Sequence, residues 1–60
     1  MRETRYAIVQ AETGLYWAGC ASVPAWTPTL EDALTFEFMS EATLYGFQNI
    51  VGATWDVAAV

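Results

Sequence analysis

Three parts of the chain carry the signals of a strand, and in the last two of them apolar and polar residues alternate with a period of two, which is the pattern of a strand with one buried face. The first part is residues 4–10 (TRYAIVQ), where Tyr6 and Ile8 fall on one face. The other two are residues 34–38 (LTFEF) and residues 51–57 (VGATWDV). All three are rich in the β-branched and aromatic side chains that favour strands, so we predict a strand in each.

Turn and loop signals occupy much of the chain between the first two of these strands. Residues 11–14 (AETG) predict a tight turn, in which Gly14 can take a positive φ without steric cost. Residues 15–20 (LYWAGC) then predict the second strand of a hairpin. Residues 22–28 (SVPAWTP) contain two prolines, which remove backbone donors and favour extended residues before them, so we predict a loop there.

Two segments carry signals for the start of a helix. Thr29 with an acid three residues later, Asp32, resembles a capping box and predicts a short helical turn. Residues 40–48 predict a longer helix with Ser40 as its N-cap. Glu41 then lies in the first turn, where the helix dipole favours an acid.

The apolar positions of this predicted helix do not form a single stripe. Leu44 with Phe47, and Ala42 with Tyr45, are two pairs spaced three residues apart, and either pair can face the sheet. Gly46 is unfavourable inside a helix by about 1 kcal/mol relative to alanine. The sequence therefore leaves the buried face of the helix open.

The predicted elements follow the order strand, strand, helical turn, strand, helix, strand. This order favours an α+β fold, with a small antiparallel sheet of about four strands (ββ-turn-βαβ) and one helix packed on one face. No internal repeat, linker or low-complexity segment divides the chain, so we expect residues 1–60 to form a single domain.

The charge balance changes which partners are expected. Seven acidic side chains face two basic ones, Arg2 and Arg5, for a formal net charge of −5. Phosphate backbones and anionic membranes are bound through Lys and Arg, so we expect neither nucleic acid nor a membrane as a direct partner. The single cysteine, Cys20, and the absence of a leader-like N-terminal segment favour a cytoplasmic protein.

Catalysis and metal binding find little support in the residue types. The chain has no histidine and no lysine, which removes Ser–His, Cys–His and Schiff-base mechanisms. Carboxylates can act as acid and base, but a domain of 60 residues has little room for a cleft that excludes water. The acids also lack the alternating spacing and the glycine turn of a calcium loop. We therefore expect no enzymatic activity, no metal site and no cofactor.

Four acids lie close together in the sequence, namely Glu31, Asp32, Glu37 and Glu41, with no basic residue among them. They form either a solvated face that keeps an apolar small protein soluble, or an anionic patch that docks on a basic protein surface and competes with phosphate. Trp26, in the predicted loop, is either a lid over the core or an anchor at such an interface, where tryptophan is enriched. These five residues are the candidate protein-binding site.

Three short motifs carry a resemblance that covers nearly the whole chain. They are GLYW at residues 14–17, LEDA at residues 30–33 followed by Phe36, and SEA at residues 40–42. In this order they resemble a class of very small phage and mobile-element proteins that begin with a hairpin and close with a helix and a valine-rich strand. In size and acidity the chain is similar to anti-CRISPR proteins, which bind CRISPR effector complexes and often block their DNA-binding surface.

The resemblance implies a phage-encoded inhibitor that acts in the cytoplasm of a bacterial host. Its partner would be a CRISPR effector complex, bound at a basic DNA-binding surface by DNA mimicry through the four acids. The alternative is a small structural or assembly module without inhibitor activity, which forms a homodimer through an exposed sheet edge or apolar face. Whether the acids share one surface depends on packing that the sequence leaves open.

Overall fold

The strand Tyr6–Gln10 (β1) lies at the centre of the sheet, and the other elements are arranged around it. The computed structural model describes residues 4–19 and 26–60. In these residues β1 is joined by a 3₁₀ turn (Leu30–Asp32), one helix and four more strands. The strands are β2 (Tyr16–Trp17), β3 (Trp26–Thr27), β4 (Thr35–Phe36) and β5 (Trp55–Ala59), and the helix is α1 (Met39–Asn49). An antiparallel sheet with one helix confirms the predicted α+β class.

The two edges of β1 are used differently. β5 pairs antiparallel with all five residues of β1, in the register that places Ile8 opposite Val57. Because β5 takes one edge along its whole length, β2 and β4 share the other edge. They meet where the Leu34 N–H donates to the Trp17 carbonyl oxygen at 3.0 Å. β3 continues the sheet by pairing with β2.

This shared edge explains why the strands are shorter than the alternation predicted. The sequence predicted strands over residues 15–20 and 34–38, whereas β2 and β4 have two residues each. β1 is only five residues long, so neither partner can extend without displacing the other. The last strand runs to Ala59 and begins at Trp55 rather than at residue 51, and Val51 is 91% exposed.

The proline-containing segment also differs from its prediction. Residues 22–28 were expected to form a loop, but Trp26 and Thr27 form β3. Trp26 lies opposite Trp17 in the pairing with β2. Residues 20–25, which include Cys20, lie outside the described residues.

Both predicted side-chain caps are wrong. The helix begins at Met39, and its N-cap is Phe38, whose carbonyl oxygen accepts the Ala42 N–H at 3.2 Å. Ser40 therefore lies inside the first turn, next to Glu41, which is in the first turn as predicted. Thr29 is the N-cap of the 3₁₀ turn, but its side chain makes no capping hydrogen bond.

The core lies between α1 and one face of the sheet. Four residues form its buried centre, namely Ile8, Trp17, Ala42 and Ile50. The indole N–H of Trp17 donates to the Tyr45 hydroxyl oxygen at 3.3 Å, and that hydroxyl donates to the Gly19 carbonyl oxygen at 3.2 Å. The polar atom of the largest buried side chain is thus satisfied inside the core.

The open question of the helix face has a clear answer. Ala42 is fully buried and Tyr45 packs against the core cluster, whereas Leu44 is 58% and Phe47 74% exposed. Gly46 is buried against β5. A Cβ at this position would lie 2.5 Å from Cζ2 and 2.8 Å from Cζ3 of the Trp55 indole, so no larger residue fits without a shift of the ring. The unfavourable helical glycine is therefore explained by close packing of helix against strand.

Candidate protein-interaction surfaces

The four predicted site acids flank β4 along the chain, two before it and two after it. Glu31 and Asp32 lie on the 3₁₀ turn before β4, Glu37 follows β4 directly, and Glu41 is in the first turn of α1. All four are exposed. The five residue steps from Asp32 to Glu37 span at most about 17 Å at the rise of an extended strand. Two acids thus precede β4 and two follow it, and we call the exposed surface of residues 30–41 that carries them the acidic side.

Exposed apolar side chains alternate with these acids along the same segment. Leu30 is 39%, Leu34 38% and Phe38 61% exposed. The acidic side is therefore a mixed surface of carboxylates and apolar groups. Sequence alternation assigned Leu34 and Phe38 to the buried face of a strand, but the short β4 buries neither of them.

Among residues 4–19 and 26–60, the one basic side chain is that of Arg5. Its guanidinium donates to the Thr35 hydroxyl oxygen at 3.1 Å and to the Thr35 carbonyl oxygen at 3.3 Å. Thr35 pairs with Ala7, so this contact lies on the face of the sheet opposite to Ile8 and the helix. One positive charge faces four negative ones here, which leaves the acidic side net negative.

Trp26 packs over the core, as expected if it acts as a lid. Its ring meets the Trp17 ring edge-on, with ring centroids 5.1 Å apart, and it packs half-buried against the core cluster. An edge-to-face pair of this kind stabilises the fold by about 0.5–1.5 kcal/mol beyond the burial of its area. Its further role as an interface anchor stays a prediction, since part of the ring is still exposed.

A second surface lies at the opposite edge of the sheet from β4, between α1 and β5. Its lining includes Met39, Thr43 and Phe47 from the helix and Trp55 and Val57 from the strand, and we call it the β5 groove. Phe47 is 74% and Met39 53% exposed, and the Phe47 and Trp55 ring centroids are 5.3 Å apart. The sequence reasoning missed this groove. Met39, Thr43 and Phe47 are spaced four residues apart, which places them on one face of the helix. Because Thr43 is polar, the sequence did not show this face as an apolar stripe.

Comparison with known proteins adds no assignment. No protein-family model, no curated protein and no solved structure matches this chain. Among residues 4–19 and 26–60, no group of three His, Cys, Asp or Glu side chains could hold a metal ion. No helix in the same part of the chain is long and apolar enough to span a membrane. The candidate sites therefore rest on surface chemistry alone.

Proposed function

We propose that this chain is a non-catalytic protein-binding domain whose acidic side docks on a basic surface that normally holds nucleic acid. Following the resemblance of the sequence to small phage proteins, the proposed target is a CRISPR effector complex of the bacterial host, and the proposed effect is inhibition of target-DNA binding. The observation that carries the proposal is the distribution of charge. Of the six acids in the described residues, four are exposed along the acidic side, and they are accompanied by exposed apolar groups.

The density of charge on the acidic side determines what kind of mimic it can be. A 17 Å length of duplex DNA carries about ten phosphate charges, because each charge occupies about 1.7 Å of helix axis. The acidic side offers four carboxylates in all, of which Asp32 and Glu37 bound a segment of that length. Charge alone therefore supplies less than half of what a DNA site is built to receive. The rest of the affinity has to come from the apolar groups between the acids, with Phe38 the most exposed of them.

Electrostatics and apolar contact would act at different stages of binding. The carboxylates would steer the domain towards a basic cleft and raise the association rate, an effect that salt screens over about 8–10 Å. Leu34 and Phe38 would then be desolvated in the complex and slow its dissociation. A bound acidic side and a bound phosphate backbone would occupy the same basic side chains, so the two ligands would exclude each other.

Charge reversal with a matched control tests this proposal. Glu37→Lys and Glu12→Lys each change the net charge from −5 to −3, but Glu12 lies on the turn between β1 and β2, away from the acidic side. We expect Glu37→Lys to weaken binding to a purified effector complex by about tenfold or more, as for a lost charge pair of 1.4 kcal/mol. Glu12→Lys should bind almost as the unaltered chain does.

Two outcomes would contradict the proposal. Equal loss of binding in both variants would mean that net charge acts without a docking surface. No binding of the unaltered chain to any effector complex would remove the inhibitor function and leave the assembly module as the explanation of the fold.

A further inference from the structure

The outer edge of β5 pairs with no described strand. The Val60 N–H donates to the Arg5 carbonyl oxygen at 2.8 Å, which identifies one bonded pair of the β1–β5 ladder. Bonded and non-bonded positions alternate along an antiparallel ladder, so the even-numbered residues of β5 bond to β1. The N–H and C=O groups of Trp55, Val57 and Ala59 therefore point outwards.

We infer that a second copy of this chain occupies this edge, with the two β5 strands antiparallel across a two-fold axis. One register uses all three outward-pointing residues: Val57 opposite Val57 of the other copy, and Trp55 opposite Ala59. Each of these pairs exchanges two backbone hydrogen bonds. The same register places the large Trp55 side chain opposite the smallest side chain of the strand, so it is sterically self-complementary. Unrelated strands would have to match this spacing by chance.

The β5 groove fits this arrangement in size. Across the seam, the two β1 strands would be three strand spacings apart, which is about 14 Å. Packed helices lie about 8–10 Å apart, so the two α1 helices, each packed over its own sheet, would leave a gap along the seam. Phe47 and Met39 project from α1 at this gap and would fill it from both sides.

The exposed area is close to what a specific dimer needs. A biological interface buries about 1,000 Å² or more in total, or about 500 Å² for each copy. An aromatic side chain buries about 150–250 Å², so the exposed fractions of Phe47 and Met39 would supply roughly half of that. The outward edge of β5 with the half-buried Trp55 and Val57 side chains would supply the remainder.

The distribution of charge favours a second copy over a basic partner. The two β4 strands, with the acids next to them in the chain, would be five strand spacings apart, about 24 Å, which is roughly three Debye lengths at physiological salt. Repulsion between them is therefore screened. Asp56 is the one acid that lines the β5 groove, so a basic partner would find little charge to bind there.

Asp56 opposes dimerisation at the proposed seam. Its carboxylate accepts the Val57 N–H at 2.8 Å, which is one of the outward groups that the dimer register requires. Dimerisation has to replace this local hydrogen bond with one to the second copy. Removing the Asp56 carboxylate should therefore strengthen the dimer, because the edge amide becomes free and two negative charges leave the seam.

Sedimentation equilibrium on the full chain, from about 1 µM to about 1 mM, the affinity range of small interfaces, tests the inference. We expect the mass to rise from 6.6 kDa to twice that value. Phe47→Lys should weaken the dimer about tenfold or more, whereas Leu44→Lys, an equal charge change at an exposed site of the same helix, should not. Asp56→Ala should tighten it. Circular dichroism confirms that each variant is folded.

A chain that stays at 6.6 kDa up to about 1 mM would overturn the inference, and would leave a strand of another protein as the occupant of this edge. Equal disruption by Phe47→Lys and Leu44→Lys would also overturn it. Amide exchange gives a second readout: with rising concentration, exchange should slow at the Val57 and Ala59 N–H groups. The salt dependence separates this surface from the acidic side, because salt weakens charge-driven docking but does not weaken the apolar seam.

Discussion

Replacing Gly46 by alanine tests the packing between α1 and β5. In a helix interior this substitution normally stabilises by up to about 1 kcal/mol. Here the new Cβ would meet the six-membered ring of Trp55, with two ring carbons at 2.5 and 2.8 Å. The Trp55 ring also meets the Phe47 ring edge-on, with ring centroids 5.3 Å apart, so a shift of the Trp55 ring would disturb that pair.

The expected result follows from the balance of these two effects. Inserting a methyl group into a packed site costs about 1–3 kcal/mol, so Gly46→Ala should destabilise by roughly 1–2 kcal/mol after the gain in helix propensity. Urea unfolding followed by circular dichroism measures this, and for a domain of this size each kcal/mol lowers the Tm by about 4–8 °C. Gln48→Ala, at an exposed position of the same helix, is the control and should stay within about 0.5 kcal/mol.

A double variant isolates the contact from other effects of the alanine. When Trp55 is first changed to leucine, the ring is gone and Gly46→Ala should become stabilising, because only the helix propensity remains. If Gly46→Ala stabilises the unaltered chain, or destabilises it equally in both backgrounds, the proposed close packing of Gly46 on Trp55 is wrong.

Two further substitutions test other parts of the fold. Tyr45→Phe removes the hydroxyl that bridges the Trp17 indole and the Gly19 carbonyl; it should cost about 1–3 kcal/mol in urea unfolding, whereas Tyr16→Phe on the other face of the sheet should cost about 0.5 kcal/mol or less. Equal costs would show that the bridge adds nothing. Gly14→Ala should cost about 1–2 kcal/mol, because Gly14 has φ 78°. Nothing lies within 4 Å of an added Cβ, so this cost comes from the backbone conformation and not from a clash. An unchanged urea midpoint would contradict the turn conformation.

The elements that sequence alone predicted well are those whose signals are local. The β-branched and aromatic residues of β1 identified that strand, and the turn at Gly14 followed from the freedom of glycine at positive φ. The end of the helix at Asn49 and the acid in its first turn also follow from local preferences. In these places the propensity of the residues and the final fold agree.

The failures arise where distant parts of the chain decide the outcome. β2 and β4 are short because both compete for one edge of β1, which no local pattern reveals. Phe38 and Phe47 look like core residues, yet they are 61% and 74% exposed because the small sheet has no space left to bury them. Gly46 looked like a weak point of the helix, whereas the packing of Trp55 requires it.

The candidate protein-binding site stays a prediction. The sequence identified the four acids and their lack of basic neighbours, and in the fold all four are exposed and flank β4 along the chain. It could not predict that Leu30, Leu34 and Phe38, which alternate with the acids along the chain, would be exposed. The β5 groove depends on the order of strands in the sheet, which only the fold defines.

Binding of the chain to a purified CRISPR effector complex, measured over a salt series with and without target DNA, tests the central claim most directly. The account predicts binding that weakens as salt rises but persists at high salt through the apolar groups, and that target DNA displaces. Binding that neither salt nor target DNA affects, or no binding at all, would contradict the claim that the acidic side occupies a nucleic-acid site.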